Sequence, residues 1–148
     1  MVKDRAEIRQ MLLRSRNAAD GHIQTIRRAV PLSYALFRQE MRQFVLDKYL
    51  LTEADVPADD GFDELTERSL ARSMKISPEL VKEFDTAQSC DGATSAMAKK
   101  VLLFMAMEKA LQIRMPARES ARLTTLEELI QLLWSAMKTT PVWVDRLA

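Results

Sequence analysis

Apolar residues recur at intervals of three and four along most of the chain, and apolar and polar residues never alternate for long. Three- and four-residue spacing places side chains on one face of an α-helix, whereas a half-buried strand requires strict alternation. The strongest stripe in the first half comprises Tyr34, Phe37, Met41, Phe44, Val45, Tyr49 and Leu50. The pattern therefore predicts an all-α fold, a helical bundle.

Residues 3–30 also show helical periodicity, and Asp20 with Gly21 marks a point where that helix can break. Pro31 suits the first turn of the next helix, because the missing amide hydrogen costs nothing there. The segment has seven basic and three acidic side chains, a net charge of +4. Such a helix is usually a solvated face or an oligomer contact. A nucleic-acid or membrane contact stays open, although no aromatic residues are interleaved for base stacking.

The middle of the chain begins with an acidic loop, residues 52–61, which contains four carboxylates, one proline and one glycine. Its carboxylates lack the ligand spacing of a calcium-binding loop. Two helices are expected after it, at residues 62–74 and, started by Ser77 and Pro78, at residues 79–87.

A long amphipathic helix is predicted from Ser95 to Leu111, started by Ser95 or Thr94 as the N-cap. Gly92, just upstream, supplies a flexible turn. The expected buried stripe of this helix consists of Val101, Leu102, Met105 and Leu111, widened by Phe104 and Met107.

An extended hinge should follow, in which Ile113 and Met115 point to the same side before Pro116 prevents helix continuation. Thr124 and Glu127 are predicted to form the capping box of the last helix. That helix is expected to bury Leu126, Ile130, Leu133 and Met137.

Residues 92–137, containing GATSA, LFMAMEKALQIRMP and ARLTTLEELIQLLWSAM, resemble the last two-thirds of acyl carrier proteins. In GATSA, Ser95 corresponds to the family's modified serine. The resemblance implies a 4'-phosphopantetheine cofactor attached at Ser95, with Met97, Lys99 and Lys100 as partner-binding residues. It also implies a phosphopantetheinyl transferase and acyl-processing enzymes as partners.

The resemblance divides the chain into an N-terminal helical extension at 1–30, an acyl-carrier-like helical domain at 31–138 and a C-terminal tail at 139–148. An insertion at about 57–88 enlarges the family's usual loop. The leading interpretation is a carrier of acyl thioesters. The alternative is an interaction module that keeps the fold and is not modified, with Ser95 serving only as a helix cap.

The 148 residues suit one domain, and a net charge of +1 provides no global field for nucleic acid. His22 has no sequence neighbour that could form a nucleophile pair, and Cys90 is followed by Asp91, which opposes a low thiol pKa. One histidine and one cysteine make a zinc site improbable. We therefore expect a protein that is not an enzyme, has no metal and no membrane span, and is cytoplasmic.

Overall fold

The computed structural model describes residues 5–76 and 95–148. Within them the chain is all-helical, as predicted, and β-type pairing is limited to two isolated bridges. The described residues contain seven α-helices, α1 (Arg5–Arg28), α2 (Tyr34–Lys48), α3 (Phe62–Ile76), α4 (Ala96–Leu111), α5 (Ala117–Ser120), α6 (Leu126–Lys138) and α7 (Pro141–Val144). A 3-10 turn, Glu53–Asp55, lies between α2 and α3.

Helices α1 and α2 form a helical hairpin, and two predictions about it are wrong. The helix does not break at Asp20 and Gly21, since α1 is continuous from Arg5 to Arg28. A Cβ added at Gly21 would meet no atom within 4 Å, so this glycine is not required by any close packing. Pro31 precedes α2 instead of starting it, because Ser33 is the N-cap and its Oγ accepts a hydrogen bond from the Leu36 amide.

All the described helices except α5 contribute side chains to one main hydrophobic core. Helix α1 contributes Ala19, Ile23 and Ile26, so the core extends across the predicted domain boundary at residue 30. Large side chains from the other helices complete it, namely Phe37, Phe44, Phe62, Met107, Leu126 and Leu133. A smaller apolar cluster around Ile8 and Leu12 lies at the start of α1.

The acidic loop is more ordered than a solvated connection. Asp60 has a left-handed backbone, with φ of 61°. Its carboxylate accepts a hydrogen bond from the Glu127 amide and its carbonyl oxygen accepts one from the Leu126 amide. The Phe62 amide donates to the carbonyl of Thr124. The loop therefore holds the start of α6 against the start of α3.

Helix α4 buries a face that agrees only in part with the one predicted, since Met107 and Leu111 are buried as expected but Val101 and Met105 are not. Lys99, Leu103, Met107 and Leu111 are buried, whereas Val101 and Met105 are 46% and 49% exposed. Hydrophobic residues occupy most positions of this helix, so periodicity alone could not choose the inward face.

The capping box of α6 lies one residue later than predicted. Thr125 is the N-cap, and its Oγ1 accepts a hydrogen bond from the Glu128 amide at 3.1 Å. The Glu128 carboxylate in turn accepts one from the Thr125 amide at 3.0 Å. The predicted apolar face of α6 is confirmed, because Leu126, Ile130, Leu133 and Met137 are all fully buried.

The last ten residues contain α7 and pack against the bundle. Trp143 is 3% exposed, and its indole Nε1 donates a hydrogen bond to the carbonyl of Leu111 at 2.6 Å. Leu147 forms a bridge with Leu32, supported by hydrogen bonds between the backbones of Leu32, Arg146 and Ala148. This tail therefore connects the end of α4 with the segment before α2.

In the part of the chain that the structure describes, no helix is both long enough and apolar enough to cross a bilayer. The helix expected at residues 79–87 lies outside that part. So do Gly92, Thr94 and Cys90.

Candidate functional site

Ser95 lies at the start of α4, where it is the N-cap residue. Its Oγ accepts a hydrogen bond from the Ala98 amide at 3.1 Å, and its carbonyl accepts one from the Lys99 amide. The residue is exposed. The prediction that Ser95 starts the helix is confirmed. Its role as the attachment site of a 4'-phosphopantetheine arm stays a prediction.

The three residues predicted to bind partners point in different directions. Met97 is 66% exposed, whereas Lys99 is only 6% exposed and its Nζ lies 5.9 Å from the centroid of the Tyr49 ring. Lys100 is half-buried, and its Nζ lies 2.8 Å from Oδ1 of Asp63. Of the three, Met97 is the side chain most available to a partner.

Aromatic packing beneath the first turns of α4 fixes this helix against α2 and α3. The Phe62 ring lies parallel to Phe104 and to Tyr49, with centroid distances of 6.0 and 6.1 Å. The Lys100 Nζ lies 5.6 Å from the Phe62 centroid. The Tyr49 hydroxyl is within hydrogen-bond distance of Thr66, at 3.0 Å. Ser95 therefore begins a helix that packs on buried aromatic rings.

Glu108 holds the hinge that follows α4 through two hydrogen bonds. The carbonyl of Glu108 accepts a hydrogen bond from the Ile113 amide, and its carboxylate accepts one from the Met115 amide at 2.9 Å. Gln112 adopts a left-handed backbone with φ of 56°, which ends the helix. Ile113 is buried and Met115 is half-buried, as the alternating pattern predicts.

Arg42 joins the acidic loop to α2. Its guanidinium donates to both carboxylate oxygens of Glu53, at 2.9 and 3.0 Å, and lies 3.4 Å from Asp60. Hydrogen bonding to Glu53 raises the pKa of Arg42, and Arg42 holds the pKa of Glu53 below its usual value. Sequence spacing does not reveal the Arg42–Glu53 pair, because Arg42 belongs to α2 and Glu53 to the acidic loop.

His22 connects α1 with α2 through two carboxylates. Its Nδ1 lies 2.5 Å from Oε2 of Glu40, and its Nε2 lies 3.1 Å from Oδ2 of Asp47. Ionised carboxylates only accept hydrogen bonds, so both contacts are hydrogen bonds when the ring carries two protons. Both ring nitrogens therefore face carboxylates of α2.

Burial raises the pKa of Asp47, and the nearby His22 only partly offsets this effect. A folded-state pKa above the unfolded value means that stability is lost as the pH rises through the folded pKa. Asp47→Asn should therefore raise the melting temperature at pH 7, on the order of 2 °C for a chain of this size, and leave it nearly unchanged at pH 3.5.

Thermal unfolding from pH 3.5 to 7 measures this difference, with Asp20→Asn on the exposed side of α1 as the matched control. An Asp47→Asn variant that loses stability relative to the wild type as the pH rises would contradict the assigned cost of burying the carboxylate.

Metal ligands do not cluster in the described residues. Neither 5–76 nor 95–148 contains a group of three or more His, Cys, Asp or Glu side chains that could hold a metal ion. The sequence resemblance and the exposure of Ser95 and Met97 make Ser95, the exposed side of α4 and the hinge the candidate functional surface.

Comparison of the chain with protein-family models, with curated proteins and with solved structures gave no match.

Proposed function

We propose that the chain is a non-enzymatic carrier that holds an acyl thioester on a 4'-phosphopantetheine arm attached to Ser95. The observation that carries the proposal is an exposed serine hydroxyl at the start of a 16-residue helix. An extended hinge, a one-turn helix and a capped helix follow in that order. The sequence resemblance assigns the attachment to the same serine.

The start of α4 suits a phosphate ester on Ser95. The first amide groups of a helix lack carbonyl partners within it, and the helix dipole adds partial positive charge at this end. A phosphodiester on Oγ would carry one negative charge close to these groups, which favour anions. The Ala98 amide already bonds Oγ, so the attachment point has a defined position.

The arm would supply a terminal thiol for the acyl group. The chain itself supplies the Ser95 oxygen, which would bond to the pantetheine-side phosphorus of coenzyme A. The pyrophosphate P–O bond of coenzyme A would break, adenosine 3',5'-bisphosphate would leave, and a base of the transferase would take up the hydroxyl proton. No catalytic side chain is therefore needed in this protein. Met97, Val101 and Met105 provide an exposed apolar surface on α4 for acyl-processing enzymes. Lys99 and Lys100, which contact Tyr49 and Asp63, would hold α4 in position.

The direct test is the intact mass of the protein after incubation with coenzyme A and a promiscuous phosphopantetheinyl transferase. The wild type should gain the mass of one phosphopantetheine arm, and Ser95→Ala should gain nothing. Alanine also removes the cap, at a cost of about 1 kcal/mol. Ser95→Asp therefore serves as a second variant, since aspartate caps helices well but has no hydroxyl.

Ser135→Ala, on the exposed side of α6, is the control and should be modified like the wild type. An unchanged wild-type mass, under conditions that modify an established carrier, would contradict the proposal. The second candidate, an unmodified interaction module in which Ser95 is only a cap, would then be favoured by the exposed apolar surface of α4.

A further inference from the structure

A group of exposed cations follows the end of α4 through the hinge and α5. Its members are Lys109, Arg114, Arg118 and Arg122, which we call the basic hinge surface. Lys109 and Arg114 line the same open depression beside the start of α7. Arg118 and Arg122 are four positions apart on the turn of α5, so their side chains project from one face of it. Each pair can therefore reach a common ligand.

These four side chains have no partner in the described part of the chain. None of them forms an ion pair or a side-chain hydrogen bond with another described residue. Glu108 borders the same depression, but its carboxylate accepts a hydrogen bond from the Met115 amide at 2.9 Å. Glu119 is exposed on α5 and forms no ion pair with either arginine beside it among the described residues. The four cations are therefore available to a ligand.

Packing does not explain the arginines of α5. This helix contains no buried residue and contributes no side chain to the main core of the described residues. It is closed by the Ser120 hydroxyl, which donates a hydrogen bond to the carbonyl of Pro116 at 2.7 Å. Like charges at a spacing of four residues also destabilise a helix. Arg118 and Arg122 therefore add no stability to α5, which indicates a role outside the fold.

The negative end of α4, which would oppose an anion at the hinge, already has hydrogen-bond donors. The carbonyl of Ala110 accepts a hydrogen bond from Nη2 of Arg27 at 2.6 Å. The carbonyl of Leu111 accepts one from Nε1 of Trp143, also at 2.6 Å. A helix C-terminus favours cations because its last carbonyls are unsatisfied. Since these two carbonyls are satisfied, their effect on a ligand at the hinge is reduced.

An acidic protein segment fits this surface better than other anions do. Planar guanidinium groups match carboxylates through two parallel hydrogen bonds. Residues 112–122 contain no aromatic side chain on which a base could stack. The apolar side chains of α5 are limited to alanine, whereas a membrane-binding helix needs larger ones. A second copy would have to offer its acidic loop, but Glu53 and Asp55 in that loop already pair with arginines of the same chain.

We propose that the basic hinge surface binds an acidic segment of a partner protein. Two carboxylates about 6 Å apart would meet Arg118 and Arg122, since side chains four positions apart on a helical turn have that separation. A further carboxylate would lie against Lys109 and Arg114 in the depression. Binding requires no modification of Ser95, so the inference goes beyond the proposed carrier function.

The test is a fluorescence-anisotropy titration of a labelled hexaglutamate peptide with the full chain at low salt. Hexaglutamate should bind with a Kd on the order of 0.1 mM. Hexaglutamine has the same length without the charge and should not bind. Raising the salt to about 0.5 M should weaken hexaglutamate binding about tenfold, because the Debye length falls to roughly 4 Å.

Two changes on the surface should act in opposite directions. The triple variant Arg114→Gln, Arg118→Gln and Arg122→Gln should bind hexaglutamate about tenfold more weakly, because it keeps only the lysine of the surface. Glu119→Gln removes the carboxylate of α5 and should tighten binding about twofold. All of these positions are exposed, so both variants should fold like the wild type.

The matched control removes the same charge from α1. Arg14→Gln, Arg16→Gln and Arg28→Gln replace three arginines that are also exposed. Arg14 and Arg28 lie about 21 Å apart along the helix axis, and Arg16 points about 200° away from Arg14. These three side chains cannot contact one short segment together, so the affinity should change by less than about twofold.

Absence of saturable binding of hexaglutamate at low salt would overturn the proposal, as would equal binding of hexaglutamine. An α1 control that loses as much affinity as the triple variant would show that the hinge is not the binding surface. Tighter binding of an oligothymidylate with the same number of charges would assign the surface to nucleic acid and would overturn the proposal as well.

Discussion

Phe62→Ala should lower the free energy of unfolding by about 3–5 kcal/mol, the usual range for removing a buried aromatic ring. Phe62 is fully buried and stacks against both Tyr49 and Phe104. Alanine would remove the ring that joins α2, α3 and α4, and the surrounding side chains could fill only part of the cavity. Urea unfolding followed by circular dichroism measures the change.

Met74→Ala is the matched control for this prediction, since Met74 lies on α3 but is 54% exposed. Its effect should stay within about 0.5 kcal/mol. A Phe62→Ala variant as stable as the Met74→Ala variant would show that the aromatic stack does not hold α4 in place.

Trp143→Ala should destabilise the protein by a similar amount, about 3–5 kcal/mol. The change removes a buried indole and leaves the carbonyl of Leu111 without its hydrogen bond to Nε1. Arg146 would also lose the ring over which its guanidinium lies, at 5.2 Å from the centroid. Thermal and urea unfolding of the variant measure the loss.

Trp143→Phe separates the two contributions. Phenylalanine keeps most of the apolar contact but lacks the Nε1 hydrogen-bond donor. The loss in free energy of unfolding should therefore fall to about 1–3 kcal/mol. Val142→Ala, at a neighbouring position that is 47% exposed, should be nearly neutral. Loss of stability in all three variants alike would point to disruption of α7 as a helix and would contradict a specific role of the indole.

Several elements could be predicted from sequence because local chemistry determines them. The apolar stripe of α6 and the N-cap role of Ser95 depend on residues within a few positions of each other. The capping box was predicted one residue too early because Thr124 and Thr125 are both good N-cap residues. The bridge between Gly61 of the acidic loop and Thr125 favours Thr125 as the cap.

Other features could not be predicted, since they depend on contacts between distant parts of the chain. The sequence indicated that α4 is amphipathic, but not that Lys99 faces inward toward Tyr49 while Met105 faces outward. The hydrogen bond between the Glu127 amide and the Asp60 carboxylate spans 67 residues. Likewise, the contacts of His22 with Glu40 and Asp47 form only because α1 folds back along α2.

The candidate site was only partly accessible to sequence reasoning. Its main residue, Ser95, is where the sequence placed it, at the start of a helix. The surface around it is different from the expected one, because Val101 and Met105 were assigned to the core and are instead exposed. A run of mostly apolar residues carries little information about which of them will face a partner.

The positions of the two tryptophans determine what intrinsic fluorescence can report about this protein. Trp134 packs against Tyr34 and Phe37, and the indole of Trp143 in α7 bonds to Leu111 at the end of α4. Both chromophores therefore belong to the main core. The small apolar cluster around Ile8 and Leu12 contains no tryptophan. Partial opening of the first turns of α1 would therefore leave the emission spectrum unchanged, and amide hydrogen exchange would be needed to detect it.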